Sequence, residues 1–350
     1  MTETMTAYRL LGWQRPPELV EVPVPEVGAG QVLVEVAGCG LCHSDLTMVA
    51  MPGEVGEALG WEVPFTLGHE VAGRVVEVGA EVDEVVVGDP VVLGAPSCGT
   101  CAHCRAGRDS ACLHADAGRG YGRDGGLARY IRVDGTRTLL PLGDLDPRHA
   151  GPLTDAGATS MHAVRRVRPA LGPGATAVVI GVGGLGSFAV QILRATTEAR
   201  VVAVDIDPAR RDRALGLGAH DAVDGTVERL HRVLRGFAAE GLDGVDAVVD
   251  IVGTDATIKA GVAALRRGGT FALVGAGGGG YARPWFGGLP REATITPIER
   301  STLADAREVI ALAAEGRVRV DVQELPLAQV AGAYAALDAG TLVGRAVIIP

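Results

Sequence analysis

The stretch ATAVVIGVGGLG at residues 175–186 decides the fold of the second half of the chain. Its apolar run predicts a buried strand, and Gly181, Gly183 and Gly186 follow in a G-x-G-x-x-G pattern that leads into an amphipathic segment. In dinucleotide-binding folds the first glycine permits a tight turn, the second lets the pyrophosphate approach, and the third packs the helix on the strand. We therefore predict that this loop, including Gly184 and Leu185, binds a dinucleotide at a helix N-terminus.

Asp205 closes the next predicted strand and indicates which dinucleotide binds. A carboxylate at this place can hydrogen-bond the ribose hydroxyls, and its charge repels a 2′-phosphate, so the sequence predicts NAD rather than NADP. The alternative is a structural strand–turn–helix in an α/β protein that binds no dinucleotide.

Apolar and helical segments alternate through the region that follows residue 156. The predicted strands are 175–180, 201–205, 245–251 and 269–275, and the predicted helices between them are 185–195, 207–216 and 255–266. This alternation predicts an α/β fold with a doubly wound parallel sheet covered by helices on both faces.

The first part of the chain shows a different pattern, with short strands and glycine turns that favour a β-barrel-like fold. The predicted strands there include 74–79 and 90–93. After about residue 297 the chain carries two helical stretches, 303–315 and 327–339, and a short strand at 345–349. We expect this last segment to pack back onto the first domain and make that domain discontinuous.

Four cysteines lie close together in the sequence, in a C-x2-C-x2-C-x7-C pattern that predicts a structural zinc site with four thiolate ligands: Cys98, Cys101, Cys104 and Cys112. Disulfides are the first alternative, but the start of the chain shows no secretory signal and therefore predicts a reducing, cytoplasmic location. An iron–sulfur cluster is the second alternative. The ferredoxin pattern has a shorter last gap followed by proline, whereas Leu113 follows here.

A second metal site is predicted from Cys42 in CGLCHSD (39–45), His69 in TLGHEVAG (66–73) and Asp155 in PLTDAGATS (152–160). Thiolate, imidazole and carboxylate are all ligands of zinc, and three protein ligands leave a fourth position for water or substrate. Each residue also has a simpler interpretation, as a buried cysteine, a hydrogen-bonded histidine or a turn aspartate.

Composition limits the classes of function. The 350-residue chain is 47% hydrophobic and 21% charged, which is enough for two globular domains. Its net charge of −10 argues against nucleic acid or an anionic membrane as a partner, and no apolar run is long enough to span a bilayer.

Taken in this order, the motifs GCGLCHSD (38–45), GHEVAGRVVEVG (68–79), the four cysteines, and GVGGLG (181–186) with Asp205 resemble the zinc-dependent alcohol dehydrogenases of the medium-chain dehydrogenase/reductase superfamily. The resemblance implies a GroES-like β-barrel catalytic domain at 1–155 and 297–350, with a structural zinc lobe at 95–115. It also implies a Rossmann NAD-binding domain at 156–296, with the active site between the two domains. Homodimers or homotetramers are usual in this family.

The resemblance also implies roles for individual residues. Cys42, His69 and Asp155 would bind the catalytic zinc, Glu70 would be an outer or transient ligand, and Asp45 would orient His69. Ser44 would take the proton of the alcohol and pass it outward through the cofactor ribose, helped by His43. The positions matching cofactor contacts are His43, Arg210, Val274 and Arg345. Many members carry cysteine where this chain has Asp155, and an acid is found there in a subset that resembles bacterial secondary-alcohol dehydrogenases. Thr47 stands where some members carry a final histidine base.

The predicted activity is the NAD-dependent interconversion of alcohols, preferably secondary and hydrophobic, with ketones or aldehydes, with two zinc ions per chain. The predicted apolar pocket comprises Leu46, Trp61, Phe65, Leu127, Trp285 and Ile298. Alternatives are a polyol, threonine or formaldehyde dehydrogenase, a zinc-free quinone or enoyl reductase, and a zinc-stabilised NAD-binding protein without catalytic activity.

Overall fold

The computed structural model describes residues 3–115, 118–284, 286–342 and 344–350. The chain divides into a first unit, Met1–Asp155 with Thr302–Ala314 and Val320–Pro350, and a second unit, Ala156–Ser301 with Glu315–Arg319. Residues 297–301 and 315–319, which we predicted in the catalytic domain, therefore group with the second unit. Their bonds explain this: the Ile298 N–H donates to the Leu273 carbonyl, and the Arg319 N–H donates to the Gln191 side chain.

The N-terminal part of the first unit is built mainly of short strands. Its strands are β1 Thr4–Leu10, β2 Glu18–Pro23, β3 Gln31–Gly40, β4 Phe65–Thr66, β5 Glu70–Val78, β6 Pro90–Leu93, β7 Gly118–Arg119, β8 Gly122–Arg123, β9 Tyr130–Asp134 and β10 Leu139–Pro141. Its helices are α1 His43–Ala50, α2 Gly53–Ala58, α3 Ala102–Arg105 and α4 Pro147–Ala150.

The second unit alternates strands and helices, as the sequence predicted. Its strands are β11 Thr176–Ile180, β12 Arg200–Asp205, β13 Asp221–Asp224, β14 Val245–Asp250, β15 Leu265–Leu273 and β16 Thr294–Pro297. Its helices are α5 Ala156–Val167, α6 Gly184–Thr196, α7 Pro208–Gly216, α8 Leu230–Arg235 and α9 Asp255–Ala264.

These strands form one parallel sheet in the order β13-β12-β11-β14-β15-β16. Every residue of β11 and β14 is buried, as expected for central strands covered on both faces. The order reverses between β11 and β14, so the sheet is doubly wound and the predicted Rossmann-type fold is confirmed.

The chain then returns to the first unit through α10 Leu303–Ala314, β17 Val322–Pro326, α11 Val330–Asp338 and β18 Arg345–Ile349. The larger sheet of this unit runs β10-β6-β5-β3-β18-β17, with β9 also paired to β3. Strand β18 lies antiparallel to β3, with Ile348 opposite Cys39 and Val347 opposite Gly40. The C-terminal segment is therefore an integral part of the first unit.

The hydrophobic core of the first unit lies under this sheet. Along β3 the valines at 32, 34 and 36 are buried, and they pack with apolar residues of β5, β9 and β18 in one cluster. Among the described helices, none combines the length and the apolar composition needed to cross a bilayer.

Candidate active site

The ligand atoms of Cys42, His69, Glu70 and Asp155 lie within 4.8 Å of one another in the first unit. Cys42 is the N-cap of α1, two residues after β3 ends, while His69 and Glu70 stand at the start of β5. Strands β3 and β5 are antiparallel with Gly40 opposite Glu70, so the pairing brings both segments to one place. Asp155 follows the turn Gly151–Leu153, which completes the group.

Asp45 orients two members of this group. Its carboxylate accepts a hydrogen bond from the Cys42 backbone N–H at 3.0 Å and another from Nδ1 of His69 at 2.9 Å. A histidine that donates through Nδ1 keeps a free lone pair on Nε2. That Nε2 lies 3.5 Å from Oδ2 of Asp155, so the lone pair is directed into the group.

The electrostatic field within the group favours a positive charge. Burial and then the Asp155 carboxylate raise the pKa of Cys42. Burial alone would lower the pKa of His69, but Tyr121, Asp45 and Asp155 together hold it well above the usual value. Burial alone would raise the pKa of Asp155, but His69, Glu70 and Arg345 together lower it. A cation bound within this group would stabilise the Cys42 thiolate and the ionised carboxylate of Asp155.

The donor set fits a zinc ion. It offers one sulfur, one imidazole nitrogen and carboxylate oxygens, the combination that zinc accepts in four-coordinate sites. Glu70 adds an indication: its Oε1 accepts a hydrogen bond from the Arg345 guanidinium, whereas its buried Oε2 has no hydrogen-bond partner. A buried carboxylate oxygen without a partner is costly, and a nearby cation would satisfy it.

Ser44 lies beside this group and bonds to a residue that sequence reasoning missed. Its Oγ lies 2.8 Å from the Tyr121 hydroxyl, which is 3.2 Å from Nε2 of His69. The Tyr121 ring packs on the His69 ring at 4.8 Å between centroids and on Trp61 at 6.1 Å. The predicted proton acceptor therefore has a hydroxyl partner at the metal-ligand group.

His43 and Thr47 are both exposed on α1. Because threonine has no imidazole, Thr47 does not supply the final histidine base that some family members carry. A second missed residue is Tyr334, whose hydroxyl donates to Asp45 at 2.9 Å. Only the scarcity of tyrosine, with 5 in the chain, could have drawn attention to Tyr121 and Tyr334.

The four cysteines converge as a second group, with their sulfur atoms within 4.8 Å of one another: Cys98, Cys101, Cys104 and Cys112. All are free, and the Cys98 and Cys104 sulfurs are 3.9 Å apart, far longer than a disulfide bond of about 2.05 Å. The Thr100 hydroxyl and the backbone N–H groups of Cys101 and Thr100 donate to Cys98, and they lower its pKa to about 5. Cys98 therefore favours the thiolate, the form that binds metal, whereas burial raises the pKa of Cys104 to about 12.

The glycine loop of the second unit has the geometry of a phosphate-binding turn. Gly181 has φ of +83°, a value that side chains disfavour, and a Cβ on Gly186 would clash with the Gly181 carbonyl. A Cβ on Gly183 would meet only the Arg210 guanidinium, at 3.9 Å, so the backbone there is open to a ligand. Helix α6 begins at Gly184, directly after this turn.

Asp205 lies at the end of β12, next to the glycine loop. Its carboxylate accepts hydrogen bonds from the Val182 N–H at 2.9 Å and the Asp207 N–H at 3.0 Å. Arg210 on α7 lies 3.6 Å from the Asp207 carboxylate, and Val274 directly follows β15. Asp205 and Arg210 therefore both lie at the loop that we predict to bind the dinucleotide. Arg345 instead lies against Glu70 in the first unit, and its cofactor contact stays a prediction.

The predicted apolar pocket receives less support. Phe65 and Leu127 lie in the hydrophobic core with 1% and 0% exposure, so we assign them to packing. Trp61 packs against Tyr121, Leu46 is half-buried beside the same core, and Ile298 is buried in the second unit. Trp285 lies outside the described residues.

Comparison with known proteins identifies relatives of both units. Residues 28–144 match the alcohol dehydrogenase GroES-like domain, and residues 184–315 match the zinc-binding dehydrogenase family. An NAD-dependent alcohol dehydrogenase of Sulfurisphaera tokodaii is 32% identical, covering 99% of this chain and 100% of its own length.

Two further relatives span nearly the whole chain. A D-arabinose 1-dehydrogenase (NADP(+)) of Saccharolobus solfataricus is 33% identical over 98% of this chain and 97% of its own. The crystal structure of an alcohol dehydrogenase from Aeropyrum pernix matches with a TM-score of 0.89 and 34% identity, covering 99% of this chain and 100% of that one.

We expect the replacement Cys98→Ser to remove one metal ion per chain and to lower the melting temperature. The loop between Cys98 and Cys112 would lose its cross-link, and about 2 kcal/mol of lost stability corresponds to roughly 5 °C in a domain of this size. Elemental analysis and calorimetry measure both effects. Leu113→Ala is the matched control, because Leu113 lies in the same lobe and is 61% exposed. Full metal content in Cys98→Ser would contradict the assignment.

Proposed function

Because the chain belongs to the zinc-binding alcohol dehydrogenase family of the medium-chain dehydrogenase/reductase superfamily, we propose that it interconverts alcohols with ketones or aldehydes, with NAD as the hydride carrier. The observation that carries the proposal is the convergence of Cys42, His69 and Asp155, with a serine hydroxyl beside them. We further propose two zinc ions per chain, and, on the family resemblance, a cytoplasmic homodimer or homotetramer.

The first unit supplies the chemistry at the oxygen of the substrate. When bound, zinc polarises the alcohol oxygen as a Lewis acid, and NAD⁺ accepts the hydride from the adjoining carbon. Cys42, His69 and Asp155 would hold the ion, and the thiolate and carboxylate balance its two positive charges. Glu70 is compensated separately by Arg345, so it adds no net charge to the site.

Ser44 is proposed to relay the proton that the alcohol hydroxyl loses: its Oγ would accept that proton while its own hydroxyl proton passes outward towards the exposed His43 and solvent. Its Oγ is placed by the Tyr121 hydroxyl, and Tyr121 is in turn placed by its ring contacts with His69 and Trp61. Tyr121 has two acceptors within reach, Ser44 and Nε2 of His69. Once the Nε2 lone pair serves as a metal ligand, Ser44 is the acceptor that remains, and Tyr121 orients it for proton transfer.

A second candidate function is the oxidation of a sugar or polyol. The Saccharolobus relative is named a D-arabinose dehydrogenase, and the Tyr121 and Ser44 hydroxyls place polar groups beside the metal ligands. These two hydroxyls would hydrogen-bond a second hydroxyl of a sugar substrate, just as a hydrocarbon pocket would bind the alkyl chain of a simple alcohol. A substrate panel therefore needs to include sugars as well as simple secondary alcohols.

The main test follows NADH absorbance while the metal-loaded protein is offered secondary alcohols, ketones and sugars. We expect turnover in the wild type, and in Cys42→Ala a fall in kcat/KM of about a hundredfold or more with the loss of one metal ion. Lewis-acid stabilisation supplies several kcal/mol, and each 1.36 kcal/mol is a factor of ten in rate. Cys39→Ala, a cysteine in β3 outside the ligand group, should keep both metal ions. Wild-type turnover in Cys42→Ala would rule out the proposed centre.

The proposed link between Tyr121 and Ser44 is tested by a double-mutant cycle. We expect Ser44→Ala to lower kcat about a hundredfold, as for a lost general base, and Tyr121→Phe to lower it about fivefold, as for a lost hydrogen bond. In the Ser44→Ala background, Tyr121→Phe should have no further effect. Tyr130→Phe serves as the control. An undiminished effect of Tyr121→Phe in that background would show that Tyr121 acts independently of Ser44.

The preference for NAD is tested with Asp205→Asn, which removes the charge and keeps one acceptor oxygen for the Val182 N–H. We expect the ratio of kcat/KM with NAD to that with NADP to fall by about tenfold or more, since repulsion of the 2′-phosphate is lost. Asp207→Asn on the neighbouring helix cap is the control. An unchanged ratio would mean that Asp205 does not select the cofactor.

A further inference from the structure

Asp45 receives a third hydrogen bond that neither the metal-ligand motif nor the proposed mechanism requires. Besides Cys42 and His69, the Tyr334 hydroxyl donates to its Oδ2 at 2.9 Å, from a position 289 residues later in the chain. We infer that Tyr334 is a positioning residue that holds the metal centre through Asp45. The inference rests on the proposed function, because it assumes that Cys42, His69 and Asp155 bind the ion.

Tyr334 is held firmly in place on helix α11. It has 6% exposure, and its neighbours Val330 and Ala333 on the same helix face are also buried in the core of the first unit. Its ring stacks on Tyr8 of β1, with centroids 6.1 Å apart and an angle of 19° between the planes. Because the ring is buried in this core and stacked on Tyr8, the direction of its hydroxyl towards Asp45 is fixed as well.

Asp45 needs this donor because it is a fully buried carboxylate, with 0% exposure. No arginine or lysine among the described residues forms an ion pair with it, and the His69 imidazole is the basic side chain that hydrogen-bonds to it. A buried charge is tolerated when hydrogen bonds replace the lost water, and bonds to an ionised acceptor are stronger than neutral ones. Tyr334 therefore supplies part of what keeps this carboxylate in place.

The effect reaches two of the metal ligands at once. Oδ2 of Asp45 accepts hydrogen bonds from the Tyr334 hydroxyl and from the Cys42 backbone N–H. Oδ1 accepts a hydrogen bond from Nδ1 of His69. Without the hydrogen bond from the Tyr334 hydroxyl, the Asp45 carboxylate would be free to rotate towards its two remaining donors. The Cys42 backbone and the His69 ring, which are bonded to it, would then shift as well. Outer partners of metal ligands commonly change metal affinity by about 10- to 100-fold, so a measurable effect on retention of the ion is expected.

A purely structural role for Tyr334 makes a different prediction. Packing of the ring against Tyr8 would stabilise the whole first unit, and its loss would affect both metal sites and the melting temperature alike. The replacement Tyr334→Phe separates the two roles, because it keeps the ring and removes only the hydroxyl. Tyr8→Phe is the matched control: Tyr8 belongs to the same stack and is equally buried, and its hydroxyl makes no hydrogen bond to Asp45.

The experiment loads the full-length protein with zinc, adds an excess of chelator, and follows release with a colorimetric zinc indicator. Wild type should release two ions in two phases, and the phase that is missing in Cys42→Ala belongs to the centre near Asp45. In Tyr334→Phe we expect that phase to be about tenfold faster or more, with the four-cysteine phase unchanged. Tyr8→Phe should release both ions as wild type does, and calorimetry should show little change in Tm for either variant.

Wild-type release of both ions from Tyr334→Phe would overturn the inference and leave the proposed function standing. Equal acceleration of both phases with a lowered Tm would also overturn it, because that is the result of a structural role. A wild-type chain that holds a single ion, unaffected by Cys42→Ala, would overturn the proposed function and the inference with it.

Discussion

The fully buried carboxylate of Asp45 connects three separate segments of the first unit. It accepts hydrogen bonds from the start of α1, from a histidine before β5 and from a tyrosine on α11. These segments are far apart in the sequence, and the charge is stable only when all of them are in position. Hydrophobic packing brings the elements together, but this requirement determines which relative placement is acceptable. The ordering of Cys42 and His69 into one group is a consequence of it.

Charge balance accounts for the remaining residues of the group. Glu70 is buried and faces Arg345, so those two charges cancel, while a Cys42 thiolate and the Asp155 carboxylate would balance the charge of the proposed zinc ion. The family resemblance implies a cysteine at the position of Asp155 in many members, and an aspartate carries the same single negative charge as a thiolate. The unsatisfied Oε2 of Glu70 indicates that this carboxylate has coordinating capacity beyond its ion pair.

Short sequence patterns predicted the features that form within a single short segment of the chain. The spacing of Gly181, Gly183 and Gly186 and of the four cysteines predicted a turn and a cluster, since each is formed within a short segment. Tyr121 and Tyr334 could not be found in this way, because their partners lie 77 and 289 residues away and only the folded chain brings them together. Strands β16 and β17 are short and mostly exposed, and α5 is buried on nearly all sides, so the sequence did not predict them.

The pairing of β18 with β3 has a consequence for the order of biosynthesis. Tyr334 and Arg345 emerge from the ribosome after the whole second unit, so the first unit waits for its closing strand. At about 5–20 residues per second, the stretch between Asp155 and Arg345 takes on the order of ten to forty seconds to translate. The four-cysteine loop, by contrast, needs nothing beyond Cys112 from later in the chain to gather its sulfurs. We therefore expect a newly made chain to take up the two proposed zinc ions in sequence, the one at the four cysteines during translation and the one at Cys42, His69 and Asp155 near its end.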